Sequence, residues 1–263
     1  MSLTVGIDEV GYGPCLGPLV VAAVAAREPL PAEARVADSK KVFSQARGVS
    51  SLEPTVLGFV PAETFGELLE RLSAPMPPHP WYAAPLRLPR VEPLKGVAGA
   101  WVRLVDPEEF NAGTRACNKS DFLFEIAARM ISEIRGRHDE PIRFVVGKHG
   151  GRNGYLRGLQ QQVCPTVMVE EESRSRSAYR LPDGTVEFLM DAEDRHELVA
   201  LASMIGKYIR ECAMALFNDW WAGHLSGIRR TAGYGKDGRR FYREIDSVRQ
   251  FLQVPRDAVL RRR

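Results

Sequence analysis

Hydrophobic and polar positions fall into short runs whose period changes along the chain. LTVGID (residues 3–8) is an apolar run ending in a carboxylate, and LVVAAVAA (19–26) is continuously apolar. With the Gly/Pro-rich GYGPCLGP between them, the two predict a hairpin. TVLGFVPA (55–62) predicts a third strand and ETFGELLERL, directly after it, a helix. AGAWVRLVD (98–106), IRFVVGK (142–148) and TVMVEEES (166–173) predict further strands, and SAYRLPDGTVEFLMD (177–191) a hairpin about Asp183 and Gly184. NKSDFLFEIAARMISEIRG (118–136) carries apolar residues at 122, 123, 124, 126, 130, 131 and 134, one broad helical face. A shorter helix is predicted within 150–163 and the longest within 193–224. No internal repeat is visible. A hairpin followed by alternating strands and helices predicts an α/β fold with a mixed sheet flanked by helices. Residues 74–95 hold seven of the eighteen prolines and predict a surface insertion. The expected organisation is a core over 1–224 that carries this insertion, then a basic C-terminal loop and helix extension over 225–263.

Composition adds limits. The chain has 263 residues, 44% hydrophobic and 26% charged, which excludes long disorder or a coiled coil as its main state. The net charge of +3 is too mild to identify a partner, but its distribution is uneven. From Arg229 onward there are eleven Lys and Arg against four Asp and Glu, a net of +7 that leaves −4 on the rest. A basic end on a slightly acidic body fits contact with a polyanion, or a solvated helix with a frayed arginine tail. The four cysteines are far apart with no CxxC pair, so neither a zinc site nor a disulfide framework is predicted, and a reducing, cytoplasmic setting is expected. The apolar run 14–26 is too short to span a bilayer and follows acidic residues rather than basic ones, so no membrane segment is expected.

Four motifs carry candidate chemistry. In IDEVGYGP, Asp8 and Glu9 end an apolar strand. Adjacent strand residues point to opposite faces, so both can serve one ion only where the strand end kinks, which Gly11 and Gly13 make easy. The spacing GxGxxxG, followed by a strand, is not a dinucleotide fingerprint. In ADSKK, Lys40 and Lys41 are candidate phosphate contacts. Asp191, Glu193 and Asp194 precede the longest helix, where they can cap it or hold a metal, and Ser203, Lys207 and Arg210 share one helical face. In RRTAGYGKDGRR, five cations surround Tyr234, an arrangement suited to stacking on a sugar or base while Lys236, Arg239 and Arg240 hold phosphates. The five histidines show no ligand spacing, and Trp220 and Trp221 read as packing.

Together, DEVGYGPCLGPLVVAAV, DSKK, LASMIGKYIRE and AGYGKDG, in that order, resemble type 2 ribonuclease H as a divergent member. The resemblance implies a ribonuclease-H-like mixed sheet flanked by helices, with a C-terminal helical extension. It implies hydrolysis of the RNA strand of RNA–DNA hybrids by paired Mg²⁺ or Mn²⁺ ions about 4 Å apart. Asp8 would bridge the ions, Glu9 would hold one and Glu193 the other, with Asp194 as a further ligand. Gly11, Tyr12 and Gly13 would face the nucleic acid, Tyr234 would stack near the scissile sugar, and Lys40, Lys41, Lys207 and the basic tail would hold phosphates. The chain is expected to act as a monomer. Two departures stand out: Tyr12 replaces the arginine of a Gly-Arg-Gly, and Gly147 stands where an aspartate is expected. Lys148 beside that gap would oppose an ion if it turned inward, and Glu170, Glu171, Glu172, Asp191 or Asp194 could compensate. The alternative expectation is a hybrid-binding protein that keeps the fold and has lost most catalysis.

Overall fold

The structure, a computed structural model, describes residues 2–37, 39–43 and 48–262, with Lys40 and Lys41 described only in their backbone. In chain order the elements are β1 (Leu3–Val10), β2 (Leu19–Ala26), α1 (Ser39–Val42), α2 (Glu53–Phe59), α3 (Phe65–Arg71), β3 (Gly99–Val105), α4 (Pro107–Ala116) and α5 (Lys119–Arg135). Then follow β4 (Ile142–Gly147), α6 (Leu156–Gln162), β5 (Met168–Glu172), β6 (Arg176–Leu181), β7 (Gly184–Leu189), α7 (Glu197–His224), α8 (Gly235–Phe251) and α9 (Arg256–Val259).

The strands form one seven-stranded sheet in the order β3-β2-β1-β4-β7-β6-β5. β1, β2 and β3 are antiparallel, β1–β4 and β4–β7 are parallel, and β7–β6–β5 is antiparallel again. The mixed α/β sheet is therefore as expected. Alternation along β2 divides the core: Val20, Ala22 and Val24 face the layer of α2, α3 and α7, while Leu19, Val21 and Ala23 face α4, α5 and α6. α7 lies almost against the sheet because β1 offers it a glycine. A Cβ on Gly6 would fall 2.3 Å from the Leu198 carbonyl carbon, inside contact distance. This close approach brings the start of α7 to the end of β1.

Two sequence expectations fail. Residues 55–62 are not a strand; they lie in α2 and the turn after it. Pro54 sits in the first turn of that helix, where its missing N–H costs nothing, and Leu52, Val56, Leu57 and Val60 bury one helical face. The proline-rich stretch is not merely surface: Trp81 and Tyr82 are buried, Trp81 edge-on to Phe217 and Trp220 of α7. α4 was also unforeseen, although Asp106 caps it by accepting from the Glu109 N–H and Pro107 opens it. The segment read as a basic loop becomes helix at Gly235, and Phe241 and Ile245 of α8 join the same apolar cluster as Phe217 and Trp221. No helix among the described residues is long and apolar enough to cross a membrane.

Candidate active site at the strand ends

β1 and β4 run side by side in parallel, with Ile7 opposite Val146, so Asp8 emerges beside Gly147. β7 ends next to them, with Leu189 opposite Gly147. Here the sheet changes from antiparallel to parallel, and a cleft opens beyond the strand ends. The cleft has a volume of about 660 Å³ and is lined by Asp8, Glu9, Gly11, Gly147, Asp191, Glu193, Ser203, Lys207 and Tyr234, among others.

The carboxylate pair does converge. A Cβ on Gly147 would lie 2.9 Å from Asp8 Oδ1 and 3.7 Å from Glu9 Oε2. Both side chains thus crowd the point from which a side chain at 147 would grow, although they are neighbours on one strand. Asp191 has φ of +51°, a left-handed conformation that Asp tolerates better than most residues, and it turns the chain after β7. The short 3-10 turn Ala192–Asp194 follows and sets Glu193 on the cleft wall. Asp194, expected as a ligand, is not on the lining, whereas Asp191 is.

The chemistry of the donors fits a hard divalent cation, since carboxylate oxygens are its preferred ligands and Mg²⁺ is commonly held by one or two of them with water and substrate oxygens. Asp8 and Glu9 meet that need for one ion. Among the described residues, no three His, Cys, Asp or Glu side chains gather closely enough to form a metal site. Glu193 lines the same cleft.

Of the proposed compensations, Asp191 lines the cleft, whereas the three glutamates of β5 are engaged elsewhere. Lys148 lines the cleft as well, and its Nζ is held by Ser173 O at 2.6 Å and Asn153 Oδ1 at 3.1 Å. Glu170 pairs with Arg180, Glu171 with Arg176, and Glu172 accepts from the Tyr179 hydroxyl. The walls are tied together. The Ser39 and Ser203 hydroxyls are 2.9 Å apart and buried, joining α1 to α7. Lys207 lies 2.7 Å from Glu211 and 4.0 Å over the Phe43 ring, so it lines the cleft as a paired cation. The side chains of Lys40 and Lys41 lie outside the described residues.

The Gly11-Tyr12-Gly13 turn borders this cleft. Gly11 needs its positive φ of +85° and has no room for a side chain, while Gly13 faces open space. Tyr12 is half-buried with Lys119 5.8 Å from its ring centre; burial, then the Glu9 charge, raise its pKa. Gly233 clamps the turn from the other side, its carbonyl accepting from the N–H groups of Cys15 and Leu16 at 2.9 and 3.3 Å. Tyr234 follows, 46% exposed and ready to stack. The tail cations divide. Arg240 is paired with Asp237 and Glu244, while Lys236 and Arg239 border a hollow with Tyr242, Arg243 and Arg256. Arg210, placed by its spacing on one helical face with Ser203 and Lys207, and Arg261, which the sequence did not single out, are both buried; that burial depends on how the last residues fold back, which local patterning does not encode.

The mixed sheet, its order and the helices on both faces define a ribonuclease-H-like fold. Solved structures share it: the ribonuclease H2 of Pyrococcus horikoshii OT3 aligns over 98% of this chain and 92% of its own, with a TM-score of 0.58 and 17% identity. The PCNA:RNase HII complex from Archaeoglobus fulgidus aligns over 99% and 94%, with a TM-score of 0.56 and 22% identity. Residues 5–61 match the family model of ribonuclease HII. A curated ribonuclease HII from Rhodococcus opacus (strain B4) is 58% identical over 43 residues, 16% of this chain and 19% of that protein. The likeness in sequence to ribonuclease HII thus lies in the N-terminal segment, which spans about a fifth of the curated relative's length, while the fold is shared over the whole chain.

Proposed function

We propose that the chain is a divalent-metal-dependent endonuclease that hydrolyses the RNA strand of RNA–DNA hybrids, weakened by the glycine at 147. The observation that supports this most directly is the convergence of Asp8 and Glu9 on Gly147 at the floor of the cleft. Asp8 and Glu9 would hold Mg²⁺ or Mn²⁺, with Glu193 facing from the wall; such an ion supplies Lewis-acid stabilisation of charge at phosphorus and makes water more acidic. The open backbone at Gly13 admits a strand closely. Tyr234 stacks on a sugar or base, which holds the strand across the carboxylates. Lys207 keeps a positive wall opposite them.

A second reading, a hybrid-binding protein of this fold without turnover, is favoured by Gly147 itself and by the lack of a three-carboxylate group among the described residues. Cleavage of a labelled hybrid in Mg²⁺ and in Mn²⁺, beside binding in EDTA, separates the two. The expected result is slow cleavage in Mg²⁺ and faster cleavage in Mn²⁺, reduced at least about 100-fold, or ~2.7 kcal/mol of barrier, by Asp8→Asn. Binding without cleavage in either metal would establish the second reading, and cleavage untouched by Asp8→Asn would refute the assigned floor.

A further inference from the structure

Two arginines that the proposed chemistry leaves unused lie beneath the Gly11–Gly13 turn. Arg210 of α7 is fully buried and Arg261, near the chain end, is 5% exposed. Arg210 Nη2 donates to Ala232 O at 2.9 Å, and Arg261 Nη1 donates to Gly11 O at 2.6 Å. The other guanidinium nitrogens, Arg210 Nε and Nη1 and Arg261 Nε and Nη2, are buried without a hydrogen-bond partner among the described residues. The carboxylate nearest Arg210, that of Glu211, is 3.8 Å away and 2.7 Å from Lys207. Aromatic rings cover the rest: Arg210 lies 5.0 Å from the Tyr234 ring centre and Arg261 4.6 Å from that of Phe110.

This arrangement is not an accident of a frayed tail. Leu260 bridges to Leu16, the Arg261 N–H donates to Cys15 O at 2.9 Å, and the Asn111 side chain ties both Leu260 and Arg262. Two buried guanidinium groups with unused donors are strongly unfavourable by themselves, because burial removes their hydration and they repel each other. Burial and the charge of Arg210 hold the Arg261 pKa down at about 9, still a cation at neutral pH. On the side of the turn Arg210 meets backbone directly: a Cβ on Gly11, which lines the cleft, would lie 2.6 Å from Arg210 Nε, and Gly13 opens to solvent. Tyr12, at the tip, brings no charge of its own.

We propose that Arg210 and Arg261 form a fixed cationic seat that draws one phosphodiester group of a nucleic-acid strand onto the Gly11-Tyr12-Gly13 turn, as positioning residues acting through that turn. The proposal rests on the reading of the cleft as a nucleic-acid site. Its compensating charge arrives with the strand, so the free protein carries the cost and the complex recovers it.

The test uses the full chain in EDTA, so that binding is read without turnover. Arg261→Gln removes the charge and keeps a donor for Gly11 O. It should weaken binding of a labelled RNA–DNA hybrid at least about tenfold and make the salt slope about one unit shallower, as loss of one phosphate interaction does. The melting temperature of the free protein should stay level or rise. Arg261→Lys, which keeps the charge, should bind within about threefold of the original chain, a rescue that a purely structural clasp does not give. Should the Gln variant fail to fold, Arg261→Met is read in the same way. Unchanged affinity and slope in a folded neutral variant would overturn the seat while leaving the cleavage reading intact. A parallel fall of melting and binding without rescue by Lys would reduce it to a clasp. Protection from melting by inorganic phosphate with no hybrid binding would assign the site to a free anion and overturn the strand proposal. Weakened binding in a chain that never cleaves would uphold the seat and retire the cleavage reading.

Discussion

The carboxylate floor and helix α8 both concentrate charge, yet they treat it in opposite ways. On the floor, Asp8 and Glu9 converge on one point and Glu193 faces the same cleft. Along α8, much of the charge is cancelled within a turn: Arg240 pairs with Asp237 and Glu244, Arg249 with Asp246, and Arg229 reaches Asp237 from the preceding loop. Lys236, Arg239, Arg243 and Arg256 remain, around a hollow whose lining includes no carboxylate. Pairing at i,i+3 and i,i+4 on a helix is self-contained, whereas carboxylates gathered at strand ends present the oxygen donors that a hard cation takes. The difference separates the two regions, which a count of charges does not.

The largest effect expected from sharpening this contrast is at Gly147. An aspartate there would add a third carboxylate beside Asp8 and Glu9. Its Cβ would start 2.9 Å from Asp8 Oδ1, so the Asp8 carboxylate must shift to admit it. In Mg²⁺, Gly147→Asp should raise the hybrid cleavage rate at least about tenfold, or ~1.4 kcal/mol of barrier. In EDTA it should lower stability, because three carboxylates then repel without an ion. A folded variant with an unchanged rate and unchanged metal affinity by calorimetry would mean that another group already fills the position.

The α8 side of the comparison divides the arginines. Neutralising Arg239 and Arg243 together should weaken hybrid binding about fivefold and reduce the salt slope by nearly two units, because each phosphate contact accounts for about 0.9. Arg240→Gln should change binding by less than about twofold and instead lower the melting temperature, since it loses Asp237, Glu244 and the Arg229 carbonyl. Equal effects from the two faces would show that the pairing seen here opens when a strand binds.

These contrasts also mark what could be read beforehand. The floor was legible because a β-branched run ending in Asp8 and Glu9, and another ending in Gly147, fix both strand ends, and parallel pairing then places them together. The alternation of elements gave a mixed sheet but not its order, which depends on pairing between strands far apart in the chain. The pairing of Arg240 with Asp237 and Glu244 was not legible, because their i,i+3 and i,i+4 spacing matters only once the segment is known to be helix. Residues 55–62 form a short apolar run that fits strand or helix alike, and the prolines of 74–95 mark a surface stretch by pattern, although proline can open a 3-10 turn that buries the residues after it, as at Trp81. The Arg210 and Arg261 pair depends on contacts between residues about fifty apart in the chain, beyond any local pattern.

The smallest effect at neutral pH concerns the layer behind the floor. His149, two residues after Gly147, is 2% exposed and set against Phe124, Tyr155 and Phe188, with Nδ1 lacking a partner among the described residues. Burial, helped by the charge of Arg152, pushes its pKa down to about 3. The unfolded chain takes up this proton near pH 6.5, the folded chain only near 3, so between those values the unfolded state binds more protons. Stability from this group is therefore complete above about pH 6.5 and falls as the pH is lowered, by up to ~1.4 kcal/mol per unit. His149→Phe keeps the ring packing and removes the proton site. At pH 7 the two proteins should differ little in urea midpoint, and by pH 5 the Phe variant should be the more stable by up to ~2 kcal/mol. Parallel pH profiles for the two would mean that His149 is protonated in the folded chain and that the layer behind the floor accommodates a charge, as α8 does.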